Sequence, residues 1–126
     1  KHKPVVILTS NRTRDLSDAL KRRCLYHWVD FPTFDKELAI LEKRVGGEVE
    51  MLQQLVKFIE YLRGQNLQKT PGIAETIDWA RALITLNTTS LKPESINPTL
   101  GCVLKSQKDI DEIRHSITNI LEDISV

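Results

Sequence analysis

The sequence predicts a mostly helical chain in two parts: residues 1–32 form the tail end of an α/β domain, with two strands and one helix, and residues 33–126 form a helical bundle. Three observations predict this. The run PVVILT (residues 4–9) is continuous, apolar and rich in β-branched residues, the pattern of a strand buried on both faces. A second strand candidate, LYHWVDF (residues 25–31), is ended by Pro32. Beyond Pro32 the apolar residues fall at i, i+3, i+4 spacing and keep that spacing almost to the last residue.

Each element has its own argument. The first strand cannot stand alone, because its ladder groups and both of its faces need neighbours. The simplest reading is therefore that the chain is a fragment, or a cleavage product, of a longer protein. Polar residues 10–14 follow, then a short helix over 15–23 with Leu16, Ala19 and Leu20 facing inward. Thr33 or Asp35 can cap a helix carrying Leu38, Ile40, Leu41 and Val45, which Gly46 and Gly47 stop. Residues 49–63 place Leu52, Leu55, Val56, Ile59 and Leu62 on one face, and Gly64 closes them. After a loop over 65–72, a helix over 73–86 carries Ile77, Ala80, Ala82, Leu83, Ile84 and Leu86. A polar linker leads to a shorter helix over 94–104, with Pro98 near its start or breaking it. A last helix over 107–124 carries Ile110, Ile113, Ile117, Ile120, Leu121 and Ile124.

Composition narrows the function classes. The 126 residues carry 18 basic and 17 acidic side chains, a formal charge of +1, which argues against a polycation that coats nucleic acid. The charge is uneven, however. Residues 1–23 hold Lys1, Lys3, Arg12, Arg14, Lys21, Arg22 and Arg23 against Asp15 and Asp18, whereas residues 107–126 are acidic. No apolar run reaches the ~18 residues of a membrane span, so no membrane partner is expected. Cys24 and Cys102 make no disulfide framework, which fits reduced thiols and a cytoplasmic location.

Most chemical motifs are missing. The Cys and His residues show neither CxxC nor HExxH spacing, so no metal site is expected, and there is no GxSxG and no glycine-rich phosphate loop. Two clusters remain. Thr9-Ser10-Asn11 lies at the carboxyl end of the first predicted strand, where open α/β sheets bind ligands. An Asn there can orient a water or a phosphate oxygen, or it can simply turn the chain through an Asx-type hydrogen bond. Lys21-Arg22-Arg23 stands at a helix carboxyl end, where cations also complement the helix dipole. From the residues alone both readings of each cluster stand.

Taken together, the clusters resemble something specific. The run Val5-Val6-Ile7-Leu8-Thr9-Ser10-Asn11, then Leu16-Ser17-Asp18-Ala19-Leu20-Lys21-Arg22-Arg23-Cys24, then a strand ending at Phe31-Pro32, resembles the later half of an AAA+ ATPase core. The segment Pro71-Gly72-Ile73-Ala74-Glu75-Thr76-Ile77-Asp78-Trp79-Ala80-Arg81-Ala82-Leu83 is similar to the lid of MoxR-type ATPases, in the branch associated with maturation of carbon monoxide dehydrogenase-like enzymes. The Arg-Cys pair makes the clamp loaders the nearest competitor. The resemblance spans the chain from sensor 1 through the lid, and Walker A and Walker B would lie upstream.

The resemblance implies that Asn11 is sensor 1 and that Arg23, with Arg22 as the fallback, is the arginine finger acting in trans. The sensor 2 position falls at Glu75 and Thr76, where the family's Arg is absent; Arg81, almost two turns on, is a weak substitute. ATP and Mg²⁺ would be bound by the full-length protein and not by this chain alone. The implied partners are further copies in a ring and a client protein awaiting cofactor insertion, with nucleic acid not expected. Two other classes stand beside this motor: an AAA+ clamp loader or helicase-type ATPase acting on nucleic acid, and a helical interaction module that is not an enzyme.

Overall fold

The computed structural model describes residues 2–10 and 16–125. Among these residues there are seven α-helices, one 3₁₀ helix and no strand. The helices are α1 (Asp18–Arg22), α2 (Phe34–Arg44), α3 (Val49–Arg63), α4 (Ile73–Thr85), α5 (Pro93–Ile96), α6 (Gln107–Arg114) and α7 (Ile117–Ile124), and the 3₁₀ helix spans Asn97–Cys102 between α5 and α6. The chain divides into two units, Lys1–Asp30 and Phe31–Val126.

In the first unit both expected strands are absent. Residues 4–9 and 25–31 form no regular element. A strand gains its hydrogen bonds only from a neighbouring strand, and the described residues supply no ladder to either run. Their side chains accordingly face solvent: Val5 is 89% exposed and Ile7 83%. The helix expected over 15–23 is the five-residue α1, started by Ser17, whose Oγ accepts the Leu20 N–H at 3.2 Å. Leu16 is half-buried, but α1 itself buries no residue and Ala19 and Leu20 are exposed, so the expected inward face is not formed.

The second unit is a bundle with α3 at its centre. Met51, Leu52, Leu55, Val56, Phe58, Ile59 and Leu62 of α3 are all buried, a wider arc than one apolar stripe. The arc is wide because α2, α4 and α7 each pack against this helix. Leu41 of α2, Trp79, Ala80 and Leu83 of α4, Ile96 of α5, Leu100 of the 3₁₀ helix, Ile113 of α6 and Ile117 and Ile120 of α7 join it in the core. Trp79 meets Phe58 edge to face, ring centroids 5.4 Å apart. Its indole N–H donates to Thr99 Oγ1 at 2.8 Å, and that hydroxyl donates to the Ser95 carbonyl at 2.7 Å. The polar edge of the largest core side chain is thus satisfied inside the protein.

Local chemistry sets the helix ends. Thr33 caps α2, its Oγ1 accepting the Lys36 N–H. Gly46 and Gly47 then turn the chain at φ +76° and +98°, a region that suits glycine. A Cβ on Gly47 would also lie 2.8 Å from Ile84 Cδ1, so the turn is pressed against α4.

Two of the predicted helices are divided. Over 94–104, a single turn of α5 passes into the 3₁₀ helix carrying Pro98, whose ring removes a donor from any continuous helix. Over 107–124 the helix breaks at His115-Ser116, with Ser116 at φ −111° and ψ 2°. The apolar spacing runs unbroken through this point, so it gives no sign of the break. Packing does: α6 lies against the 3₁₀ helix and α7 against α3 and α5. One straight helix cannot follow both surfaces.

Candidate functional site

The site residues expected from the sequence are placed as follows. Asn11 lies outside the described residues. Arg22 is the last residue of α1 and Arg23 its C-cap, with the Arg23 N–H bonded to carbonyls of the preceding turn. Both side chains are exposed. Neither forms an ion pair among the described residues, and the neighbouring Lys21 ammonium lies over the Tyr26 ring, 5.6 Å from its centroid. The outcome is a surface pair of guanidinium groups at a helix carboxyl end, where the dipole favours cations.

Glu75 and Thr76 are engaged at the start of α4. The Glu75 carboxylate accepts the Gly72 N–H at 2.9 Å, and the buried Thr76 hydroxyl donates to the Gly72 carbonyl at 3.0 Å. Together they close the first turn of the helix around Gly72, much as a capping box does. Arg81, further along the same helix, is exposed. Among the described residues no group of three or more His, Cys, Asp or Glu side chains gathers to hold a metal ion. Among the described residues no helix is long and apolar enough to cross a membrane. A surface cleft of about 340 Å³ between the end of α3 and α6 is lined by Tyr61, Asn66, Lys108 and Glu112 among others, and by none of the expected site residues.

The most constrained polar group in the bundle is one that the sequence reading did not single out. Arg63, at the end of α3, donates from Nη1 to Glu37 Oε2 at 2.7 Å and from Nη2 to Glu37 Oε1 at 2.9 Å. Its Nε donates to the Pro71 carbonyl at 2.9 Å. The guanidinium carbon also lies over the Phe31 ring, 4.4 Å from the centroid. Glu37 is fully buried and the Arg63 side chain is 7% exposed. This is a two-pronged carboxylate contact of the kind only arginine makes.

A second buried acid, Asp109, accepts the Gln68 and Lys69 N–H groups at 3.0 and 3.1 Å and ties down the loop between α3 and α4. A signal for these acids existed in the sequence. Glu37 stands one turn before Leu41 and Asp109 one turn before Ile113, so each lies on its helix's apolar stripe. A charge on that stripe is buried and must be paired.

No family model matches the sequence, no curated protein matches it, and no solved structure matches its fold.

Proposed function

We propose that the chain is the sensor 1-to-lid part of a MoxR-type AAA+ ATPase, a ring-forming motor that remodels or matures client metalloenzymes. One observation carries the reading. A basic pair exposed at the end of a short helix, Arg22-Arg23, is followed within ten residues by a helical bundle that begins after Pro32. That is the order of finger and lid the resemblance implies. The family-like segment that opens with Pro71-Gly72 lies at the start and along the length of one helix of this bundle, α4.

On this reading ATP lies between subunits. Phosphoryl transfer to water requires positioning and charge neutralisation more than covalent chemistry. Asn11 offers an uncharged amide to orient the attacking water. Arg23, which forms no ion pair among the described residues, meets phosphate presented by the neighbouring subunit and stabilises charge in the transition state. Glu75 and Thr76 hold the first turn of α4 and bring no cation to the sensor 2 position. The bundle moves with nucleotide state and passes force to the client. Since the sequence carries no glycine-rich phosphate loop, ATP binding and turnover are assigned to the longer protein.

A second reading, a helical interaction module, is favoured by the closed core that residues 31–126 build among themselves. One experiment separates the two. In the full-length protein Arg23→Ala leaves ATP binding in place and lowers turnover at least ~100-fold, a floor set below the ~10³–10⁵ contribution of arginine fingers. Mixing this variant with a Walker-B-dead partner restores part of the rate, because an interface that pairs the variant's intact nucleotide site with the partner's intact finger is complete. If Arg22→Ala is the damaging variant instead, the finger is Arg22. Normal turnover in both variants ends the ATPase reading of this segment.

A further inference from the structure

The contacts of Arg63 join three stretches of chain that are distant in sequence. Phe31 lies in the entry to the bundle, ahead of α2. Glu37 lies in the first turn of α2, and Pro71 precedes α4. A single planar group touches all three: two of its nitrogens hold Glu37, the third holds the Pro71 carbonyl, and its face lies on the Phe31 ring.

Stability alone does not account for such a group. A buried ion pair recovers through attraction about what its two partners lose in leaving water, and apolar replacements of similar volume are often neutral or better. What a two-pronged buried pair supplies instead is a fixed geometry. Here that geometry reaches further, because the carbonyl it holds, Pro71, immediately precedes Gly72. Both polar groups of Gly72 are in turn used to start α4, its N–H by Glu75 and its carbonyl by Thr76.

We propose that Arg63 is a positioning residue that fixes the entry of the chain into the bundle to the turn that starts α4, so that a disturbance of residues 31–34 is felt at Gly72 and Thr76. The link runs from the Phe31 ring to the guanidinium, from Nε to the Pro71 carbonyl, and from there into the capped first turn. All of these residues, from Phe31 to Thr76, belong to the second unit, so the link lies wholly within the bundle. The inference concerns the bundle's own contacts and stands whether or not the ATPase reading does.

Backbone hydrogen exchange on the intact 126-residue chain tests it. Phe31→Ala strips one face of the guanidinium and lets water compete for the Pro71 carbonyl. The Gly72 and Thr76 amides are then expected to exchange about three- to tenfold faster, as a local opening, while the Ile120 amide of α7 keeps its rate. In an Arg63→Met background the same Phe31→Ala change is expected to add nothing at Gly72 and Thr76. Unchanged rates at both amides when Arg63 is present would overturn the proposal. So would equal acceleration in the two backgrounds. Should Arg63→Met alone leave a buried carboxylate that prevents folding, Arg63→Met with Glu37→Met removes both charges and carries the same comparison.

Discussion

The two units of this molecule are made from similar residues and treat them in opposite ways. The first holds Val5, Val6, Ile7, Leu8, Leu25 and Val29, and every one of them is exposed. The second holds a larger set of branched apolar side chains and buries more than half of them. The difference lies in where each kind of element finds its partners. A helix satisfies its backbone within its own turns, and a stripe at i, i+3, i+4 then needs only another stripe to cover it. A strand has no such internal solution. Its backbone and both its faces stay incomplete until other strands are laid beside it. The described residues provide helical stripes in number and strand neighbours nowhere.

The two tryptophans put this contrast to its strongest test, because one lies in each unit. Trp79 is buried against Phe58 and bonded to Thr99, whereas Trp28 is half exposed, with its indole N–H donated to the neighbouring Asp30. Trp79→Ala opens a large cavity and strands the Thr99 hydroxyl, and is expected to cost about 3–5 kcal/mol. Trp28→Ala is expected to cost less than about 1 kcal/mol, since an exposed side chain leaves no cavity. Urea unfolding followed by far-UV circular dichroism measures both. Similar losses for the two variants would break the comparison.

A smaller effect separates what was legible in the sequence from what was not. The helical half reads well: residues 49–63 are predicted and Val49–Arg63 is found, with Thr33 at the start of α2 and Gly46-Gly47 at its end. Apolar spacing and capping chemistry are local, so the sequence displays them. The break at His115-Ser116 is not legible, because it follows from what α6 and α7 pack against and not from their own pattern. The strands expected over 4–9 and 25–31 are not formed, for the converse reason: their pattern is present, and no strand lies beside them among the described residues.

Of the expected site residues, Arg22 and Arg23 are found on the surface as their position at a helix end implies. Arg63, which makes the densest set of polar contacts in the bundle, passes unnoticed, because its partners are 26 and 8 residues away in the chain. Asp109 differs, since its place one turn before Ile113 marks it for burial, but its partners are just as remote. Its carboxylate holds two loop amides 41 and 40 residues distant, and it is almost fully buried. Asp109→Ala leaves the Gln68 and Lys69 N–H groups without their acceptor and is expected to cost about 1–3 kcal/mol. Asp109→Asn, which keeps one acceptor oxygen, falls between the two. A chemical-denaturation series of wild type, Asn and Ala variants in that order would sharpen the point; an Ala variant as stable as wild type would show that the loop holds itself.

The smallest expected effect lies in the first unit. Leu25 is fully exposed and belongs to no helix or strand. Replacing a buried leucine with a polar residue removes apolar contacts and leaves an unmatched group in the core, two separate losses. At an exposed position neither loss occurs, since water already covers the side chain in the folded chain as it does in the unfolded one. Leu25→Ser is therefore expected to move the stability of the bundle by no more than about 0.5 kcal/mol, the range of surface substitutions away from special features. Leu55→Ser on α3, whose side chain is completely buried, serves as the matched control and should be severely destabilised. The measurement is the midpoint of thermal unfolding followed at the helical signal, which the bundle supplies almost entirely. If Leu25→Ser lowered that midpoint as Leu55→Ser does, then Leu25 would be packed in solution. The contrast between a unit that closes its own core and one that leaves its apolar residues in water would then fail at its most exposed residue.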